Sequence, residues 1–309
     1  MDTLGVAVVG CGLFGQVDAD SFAQDDLCRL VAVCDIDAEK ARAAAGRFGC
    51  EAVTKVEALA SDDRVAAVAV ATPDFAHREV VETLARAGKH ILVEKPLATT
   101  VADAEAIAAA VREAGVTCMV DFHNRYHPTL TAIKERLDGG GIGRPQAMFI
   151  RLSDRIEVAT DWFSWASRSG PEWFLGSHIA DVACWLFGDW PVRVFADGRK
   201  DVLAARGVDC NDTVQMHLTF PEGMATLETS WIMPDTWPMI CDFSVSVQAT
   251  AGRADATMTS HGACIAGPEG FEYPEVLGKR SVAGHDFGFF RLPLQDFAGA
   301  VLGGRPSPI

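Results

Sequence analysis

The sequence predicts an α/β protein with two domains: an N-terminal doubly wound parallel sheet, and a C-terminal α+β domain with a mostly antiparallel, open sheet. Short apolar runs alternate with longer Ala-rich amphipathic stretches over the first ~120 residues. After Phe122 the pattern changes to long alternating stretches with few helical intervals. The length of 309 residues also exceeds the ~250–300 residues at which single hydrophobic cores tend to split.

The first domain, over residues 1–122, contains five short runs that are apolar at consecutive positions, as in strands buried on both faces. Gly49, Gly88 and Gly115 each stand at the end of a predicted helix, where glycine adopts the left-handed conformation without strain. Strands and helices that alternate in this way predict a parallel sheet with right-handed crossovers. The predicted strands lie at 4–10, 30–35, 66–71, 90–94 and 116–120, and the helices at 14–24, 38–48, 75–87 and 101–114.

The second domain, over residues 123–309, is predicted to begin with a helix at 128–137 that ends at the glycine cluster 139–143. A second helix is predicted over 174–186. The remaining pattern predicts a mostly antiparallel sheet with one face covered by helices. Its strands are predicted at 146–158, 193–196, 213–220, 225–231, 242–250 and 254–259.

Composition excludes several classes of protein. The net charge of −15 (27 − 42) disfavours a nucleic-acid partner, since binding a phosphate backbone needs a basic face. The nine cysteines are scattered and never form C-x-x-C, so neither a zinc ribbon nor a disulfide framework is expected. There is no secretory signal pattern and no apolar run of ~18–20 residues. We therefore expect a cytoplasmic protein with no membrane partner.

A glycine-rich turn, Gly10-Cys11-Gly12-Leu13-Phe14-Gly15, follows the first predicted strand and opens the first helix. In this motif Gly10 makes the tight turn, Gly12 lets the backbone approach a pyrophosphate, and Gly15 lets helix and strand pack closely. Free N–H groups and the helix dipole then face the phosphates. The turn predicts a Rossmann dinucleotide site that Leu13 and Phe14 also line; the alternative is a packing turn without a ligand.

Asp35 lies 20 residues (35 − 15) beyond the last glycine, at the predicted end of the second strand. A carboxylate there accepts hydrogen bonds from ribose hydroxyls and repels a 2′-phosphate, which favours NAD over NADP. The alternative is a helix-capping Asp35.

Two later loops fall at the carboxyl ends of parallel strands, where the ligands of such sheets bind. One contains Thr72, Pro73 and His77, which are predicted to contact the cofactor, although Thr72 is equally consistent with a helix cap. The other is Glu94-Lys95-Pro96. The residue before a proline is kept extended, so Lys95 is predicted to project from the strand end, where it could polarise a substrate oxygen.

With these motifs in place, the chain resembles the Gfo/Idh/MocA family, named after glucose–fructose oxidoreductase, inositol dehydrogenase and a rhizopine-catabolism protein. The resemblance implies NAD(P)-dependent oxidation or reduction of sugars, polyols, inositols and related compounds. It also implies a second domain whose open sheet often forms an oligomer interface, so a homodimer or homotetramer is expected. The residues that carry it are the glycine turn, Asp35, Ala71-Thr72-Pro73 with His77, Glu94-Lys95-Pro96, Asn124-Arg125-Tyr126-His127-Pro128, Gly176-Ser177-His178-Ile179-Ala180-Asp181 and Trp185-Leu186-Phe187-Gly188.

The resemblance places the catalytic lysine at Lys95 and the catalytic histidine at His178. The family usually has an aspartate four positions before that histidine, and this sequence has Phe174 there. Phenylalanine cannot charge-pair an imidazole. We expect His178 to act as general base while Lys95 orients the substrate oxygen, with Asp181 as the substitute that orients His178. The alternatives are a core histidine at 178 and a purely structural Asp181.

Further substrate contacts are expected from Asn124, Arg125 and His127, which follow the predicted strand at 116–120. Trp165 and Arg168 are also expected to contact the substrate, since aromatic faces stack on sugar rings. Tryptophans are equally often core or interface anchors. His123 and His127 have the spacing of a metal pair, but no third ligand with suitable spacing is apparent, so no metal is expected.

The predicted function is NAD-dependent hydride transfer with a secondary alcohol of a sugar, polyol or cyclitol. Two alternatives stay open: a non-catalytic NAD-binding regulatory protein, and a glycoside-converting enzyme that returns its NAD to the starting state. The chain ends at Ile309, where relatives are expected to continue into a final helix.

Overall fold

The structure is a computed structural model of the chain, and it describes residues 3–257, 262–267, 270–272, 280–282 and 285–309. The chain forms two compact units. The first comprises Met1–His123 together with Lys279–Ile309, and the second comprises Asn124–Gly278. The C-terminal segment therefore belongs to the first unit, whereas the division made from the sequence assigned it to the second domain.

The first unit contains a six-stranded parallel sheet with strand order β3-β2-β1-β4-β5-β6, the doubly wound order that was predicted. Residues such as Val6, Val68 and Val93 are completely buried, as expected for strands covered on both faces. Five of the strands match the predicted runs, while β3 is short and partly exposed and lacked such a run. The strands are β1 (Leu4–Val9), β2 (Cys28–Cys34), β3 (Glu51–Val53), β4 (Ala67–Val70), β5 (His90–Glu94) and β6 (Cys118–Asp121).

The helices of this unit begin and end where the sequence supplies caps. The carboxylate of Asp37 accepts two N–H bonds at the start of α2, and the hydroxyl oxygen of Thr100 accepts one, from Asp103, at the start of α5. Gly49 and Gly115 end these helices with φ of 67° and 66°. The helices are α1 (Leu13–Ala23), α2 (Ala38–Phe48), α3 (Val56–Ala60), α4 (His77–Arg86) and α5 (Val101–Ala114).

The second unit contains an eight-stranded sheet that is antiparallel except for the parallel pair β7–β10. The strand order is β14-β13-β12-β11-β7-β10-β9-β8. Along β7, buried Met148, Ile150 and Leu152 alternate with exposed Phe149, so one face of the sheet packs on the core. The prediction of a mostly antiparallel sheet is confirmed. The strands are β7 (Pro145–Arg155), β8 (Arg193–Arg199), β9 (Thr213–Phe220), β10 (Gly223–Met233), β11 (Cys241–Ala249), β12 (Arg253–Thr257), β13 (Gly262–Gly267) and β14 (Gly270–Glu272).

The described part of this unit contains three α-helices and a π-helix over Val158–Trp162. The α-helices are α6 (Pro128–Asp138), α7 (Pro171–Phe174) and α8 (Gly176–Phe187). The prediction of one helix over 174–186 was wrong at its start, because the helix is interrupted at Leu175. Phe174 therefore ends one helix and His178 lies in the next.

The C-terminal segment adds a short hairpin, β15 (Arg280–Val282) with β16 (His285–Phe287), and helix α9 (Leu292–Leu302). Helix α9 contacts α1 and β5 of the first unit and buries Leu294 and Phe297. Among the described residues, no helix has both the length and the apolar character that crossing a membrane requires.

Candidate functional site

Each glycine of the turn after β1 meets a different environment. A Cβ atom on Gly10 (φ +96°) would lie 2.4 Å from the carbonyl oxygen of Ala71, and one on Gly15 would lie 1.7 Å from that of Gly10. The protein's own backbone therefore requires both of these glycines. A Cβ atom on Gly12 would meet no atom within 4 Å, and the φ of Gly12 is an ordinary −73°. Nothing in the protein's own packing explains this glycine, and it leaves room for a ligand.

The carboxylate of Asp35 is held at the carboxyl end of β2, beside the glycine turn. One oxygen accepts the N–H of Cys11 (2.8 Å) and the other accepts the N–H of Asp37 (2.9 Å). A carboxylate has about four acceptor sites, so each oxygen can accept a further hydrogen bond. Asp35 is thus fixed in orientation while retaining acceptor capacity for hydroxyl groups.

His77 joins the loops that follow β4 and β5. One ring nitrogen lies 2.9 Å from the carbonyl oxygen of Pro96, and the other lies 3.1 Å from that of Thr72. Burial lowers the pKa of His77, although these carbonyls oppose the shift. The neutral ring donates to one carbonyl at a time. This contact supports the loops, and direct contact of His77 with a cofactor stays a prediction.

Lys95 follows β5 and is only 3% exposed. Its Nζ atom lies 5.6 Å from the centre of the Phe14 ring, which belongs to the glycine turn. A cation over an aromatic face is stabilised by the ring quadrupole. Two motifs that are 81 residues apart in the sequence (95 − 14) are therefore adjacent in the first unit.

Three buried carboxyl groups, Asp18, Glu94 and Asp121, lie close enough to interact electrostatically, and the sequence prediction included Glu94 alone. Burial, with a contribution from Asp121, raises the pKa of Glu94 to about 7, and Lys95 and His123 oppose the rise. Burial, together with the charges of Glu94 and Asp121, raises the pKa of Asp18 well above its usual value. The available signal was a carboxyl at position 18, four residues after Phe14 and four before Phe22, which places it on the apolar face of α1.

These features of the first unit fit a dinucleotide. The N-terminus of α1 has no side-chain cap, so its N–H groups remain for phosphate oxygens. The hydroxyl oxygen of Thr72 is buried without a hydrogen-bond partner among the described residues, as expected for a group that a ligand would satisfy. The residues that would hold the dinucleotide are Gly10, Gly12, Leu13, Phe14, Gly15, Asp35, Thr72, Pro73, Glu94 and Lys95.

In the second unit, Asp181 is paired with Arg125. The Nε and Nη2 atoms of Arg125 donate to the two carboxylate oxygens at 2.9 and 2.6 Å. From the sequence, Arg125 is expected to contact the substrate and Asp181 to orient His178, and neither expectation includes this pair. His178 is buried on α8, one turn before Asp181. Asn124 and His127 are buried as well.

Phe174 lies in an aromatic cluster, here defined as Phe163, Trp165, Phe174 and Trp231. The Phe163 ring stacks on Trp165 with centroids 4.6 Å apart and meets the Phe174 ring edge-on at 5.0 Å. Trp231 is fully buried and lies 5.7 Å from Phe174. Phe174 therefore packs against the core of the second unit, Trp165 is half-buried and stacks on the Phe163 ring, and Arg168 is exposed.

Comparison with known proteins agrees with this geometry. A family described as oxidoreductases with an NAD-binding Rossmann fold matches residues 4–122, and the GFO/IDH/MocA C-terminal domain matches residues 130–255. The chain belongs to the Gfo/Idh/MocA family of oxidoreductases. Together the two family domains span most of the chain, so the assignment does not rest on the glycine turn alone.

Among curated Gfo/Idh/MocA relatives, the chain is 38% identical over 191 residues to a D-apiose dehydrogenase of Paraburkholderia graminis, covering 59% of this chain and 49% of the relative. It is 32% identical over 195 residues to an inositol 2-dehydrogenase of Rhizobium meliloti, covering 63% of this chain and 58% of the relative. The chain thus matches about half to three-fifths of the length of these relatives.

A solved structure of levoglucosan dehydrogenase in complex with NADH and levoglucosan has the same fold. The TM-score is 0.87 at 22% sequence identity, and the match covers 99% of this chain and 92% of that one.

Proposed function

We propose that this protein is an NAD-dependent dehydrogenase or reductase that acts on a secondary alcohol of a sugar, polyol or cyclitol. The proposal rests on the contact between Lys95 and the glycine turn in the first unit, where the Lys95 ammonium lies over the Phe14 ring. The names of the relatives, which include an apiose dehydrogenase and an inositol dehydrogenase, support a polyhydroxylated substrate.

The proposed cofactor preference rests on Asp35. Its carboxylate is fixed by two backbone N–H groups and would accept the ribose hydroxyls of NAD. The same negative charge would repel the 2′-phosphate of NADP. NAD is therefore the proposed cofactor, with NADP disfavoured.

In the proposed reaction, His178 accepts the proton of the substrate hydroxyl while Lys95 donates a hydrogen bond to the same oxygen. When bound, NAD supplies the acceptor for the hydride that leaves the alcohol carbon. The developing negative charge on the oxygen is greatest before proton transfer is complete, so a cationic Lys95 stabilises the transition state more than the ground state. Asn124 and His127 are proposed to contact the substrate, with Trp165 and Arg168 as further candidates.

The test is turnover of the purified protein with NAD and a panel of sugars, polyols and inositols, followed by NADH absorbance. Lys95→Met is expected to lower kcat by about 100-fold or more, since it removes one charged donor to the reacting oxygen. Full activity of Lys95→Met would contradict the assignment. NADH binding without turnover on any substrate favours the regulatory alternative, and product formation from a glycoside without net NADH favours the NAD-recycling alternative.

The protein is proposed to act in the cytoplasm as a homodimer or homotetramer. The eight cysteines whose side chains the structure describes are free thiols, which suits a reducing compartment. The open face of the second sheet carries Phe149, Phe195 and Met224, exposed by 41%, 71% and 49%. Large apolar side chains grouped on one face are typical of protein interfaces.

A further inference from the structure

The pair formed by Arg125 and Asp181 joins two segments of the second unit that are 56 residues apart. Arg125 belongs to the short 3-10 turn His123–Tyr126, and Asp181 lies at the middle of α8. The Arg125 side chain is 28% exposed and that of Asp181 is 8% exposed. Two parallel N–H···O bonds of this kind fix both distance and orientation.

We propose that Arg125 is a positioning residue: by clamping Asp181 it fixes the rotation of α8 and so the direction in which His178 points. The inference rests on the proposed function, because it concerns the helix that carries the proposed base. His178 and Asp181 are three residues apart, so they lie on neighbouring faces of successive turns. A small rotation of α8 about its axis displaces both side chains together.

The charge of Asp181 depends on Arg125. Burial raises the pKa of Asp181, and the hydrogen bonds and charge of Arg125 hold that rise in check. The other titratable groups of α8 are His178 and Cys184, and burial raises the pKa of the Cys184 thiol to about 11. On the elements packed against α8, Lys134 of α6 pairs with Asp138, Glu172 of α7 bonds Asn211 and Glu228 of β10 bonds Gln215. On β7, Asp154 accepts from Trp231, Arg151 pairs with Asp242 and Arg155 pairs with Glu157, and α6 also carries Glu135 and Arg136. Arg125 is the cation that bonds Asp181 and offsets the rise in its pKa.

This role needs an arginine. The guanidinium presents two donors in a planar fork that matches a carboxylate, whereas a lysine ammonium can supply the charge without the fixed orientation. The fork edge that faces Asp181 is fully used by that contact. Arg125→Lys should therefore preserve the ionisation of Asp181 but not the alignment of α8.

The test compares R125M, R125K, D181N and the double variant R125M/D181N with the unmutated protein. R125M is expected to lower kcat by about 100-fold near neutral pH with a smaller change in KM, because it leaves a buried carboxylate without a partner. Its kcat relative to that of the unmutated protein should recover as pH falls through the raised pKa of Asp181, since protonation removes the unpaired charge. The double variant lacks the carboxylate, so its pH profile should return to the shape of the unmutated protein with kcat above that of R125M.

Two readouts separate this inference from the proposed function. If Arg125 instead binds substrate, KM should rise equally in R125M and in the double variant, and the pH profile of kcat should show no added ionisation; that result would overturn the inference.

If the unmutated protein turns over no substrate, the proposed function fails, and amide hydrogen exchange of α8 still tests whether Arg125 holds that helix in place. Faster exchange over Gly176–Phe187 in R125M than in R125M/D181N, at high pH only, is expected; equal exchange would contradict it. R125K provides a folded variant should R125M fail to fold.

Discussion

The carboxylate of Asp35 combines two tasks, since it is anchored by the N–H groups of Cys11 and Asp37 and carries the charge proposed to select NAD. Asp35→Asn keeps the shape but removes the charge. We expect the ratio of NADH to NADPH affinity to fall by about 10-fold or more, equivalent to ~1.4 kcal/mol, since one charged hydrogen bond and the repulsion of the 2′-phosphate are lost together. Fluorescence titration with both nucleotides measures this ratio.

Asp37→Asn is the matched control for this experiment. Asp37 is exposed and caps α2, and asparagine caps helices about as well as aspartate. The affinity ratio of this variant should equal that of the unmutated protein. An equal fall in both variants would mean that the neighbouring charge, rather than Asp35 itself, sets the preference.

The Asp212 carboxylate is expected to contribute to the free energy of unfolding rather than to catalysis. Its buried carboxylate accepts the N–H groups of Asp201, Val202 and Leu203 at 2.6, 2.7 and 2.7 Å. Asp212→Ala should lower the free energy of unfolding by roughly 2–4 kcal/mol, since three N–H groups lose a charged acceptor. Urea unfolding followed by circular dichroism measures this. Asp209→Asn, at an exposed ion pair with Lys200, should cost less than ~1 kcal/mol.

The stabilisation by the Asp212 carboxylate is expected to be lost at acidic pH. Burial alone would raise the pKa of Asp212, but the three N–H bonds outweigh burial and lower it. A carboxyl with a lowered folded pKa stabilises the protein above its unfolded pKa, and the contribution is lost as pH falls through the folded pKa. The deficit of Asp212→Ala should therefore be larger at about pH 7 than at about pH 3. A deficit that does not change with pH would contradict the ionic role.

At the scale of elements, the glycine turn allows stability and ligand binding to be separated. A Cβ atom on Gly15 would overlap the Gly10 carbonyl, so Gly15→Ala should lower the free energy of unfolding by ~2–3 kcal/mol or more. Gly12→Ala meets no atom within 4 Å and should leave the Tm nearly unchanged while weakening NADH binding by about 10-fold or more. Thermal unfolding and NADH titration of both variants test this.

Gly46, inside α2, is a suitable control for backbone effects, since a Cβ atom there also meets nothing within 4 Å. Gly46→Ala should raise the free energy of unfolding by ~0.5–1 kcal/mol, because alanine favours the helix, and should leave NADH binding unchanged. If Gly12→Ala binds NADH as well as Gly46→Ala does, the turn does not approach the ligand as proposed.

Local sequence patterns predicted most strands and helices of the first unit but missed features that depend on contacts between distant residues. The five apolar strands and the glycine-terminated helices were predicted because each depends on neighbouring residues. The interruption at Leu175 was not, since Phe174-Leu175-Gly176 contains no proline and its turn depends on packing against the core. The contact between Arg125 and Asp181 depends on the fold of the second unit and leaves no local signal in the sequence. The position of Asp18 on α1 is a local signal of burial, but its proximity to Glu94 depends on the fold of the first unit.

At the scale of the whole molecule, the open sheet face predicts assembly. Phe149, Thr226, His217 and Phe195 form one row across β7, β10, β9 and β8. Phe195→Lys should dissociate the oligomer, since it places a charge within an apolar contact. Val194→Lys is the matched control, because Val194 is 57% exposed on the same strand but points to the opposite face. Light scattering after gel filtration measures the mass; equal masses for the two variants would argue against this face.

Helix α9 follows the second unit in the sequence but belongs to the first unit, so the first unit is completed late in synthesis. Phe297 and Leu294 leave the ribosome after the entire second unit, yet they complete the buried surface against α1. Nascent domains generally fold as units, in the order in which they emerge. Here the first unit is complete only once α9 has been made, so translation can finish the second unit before the first.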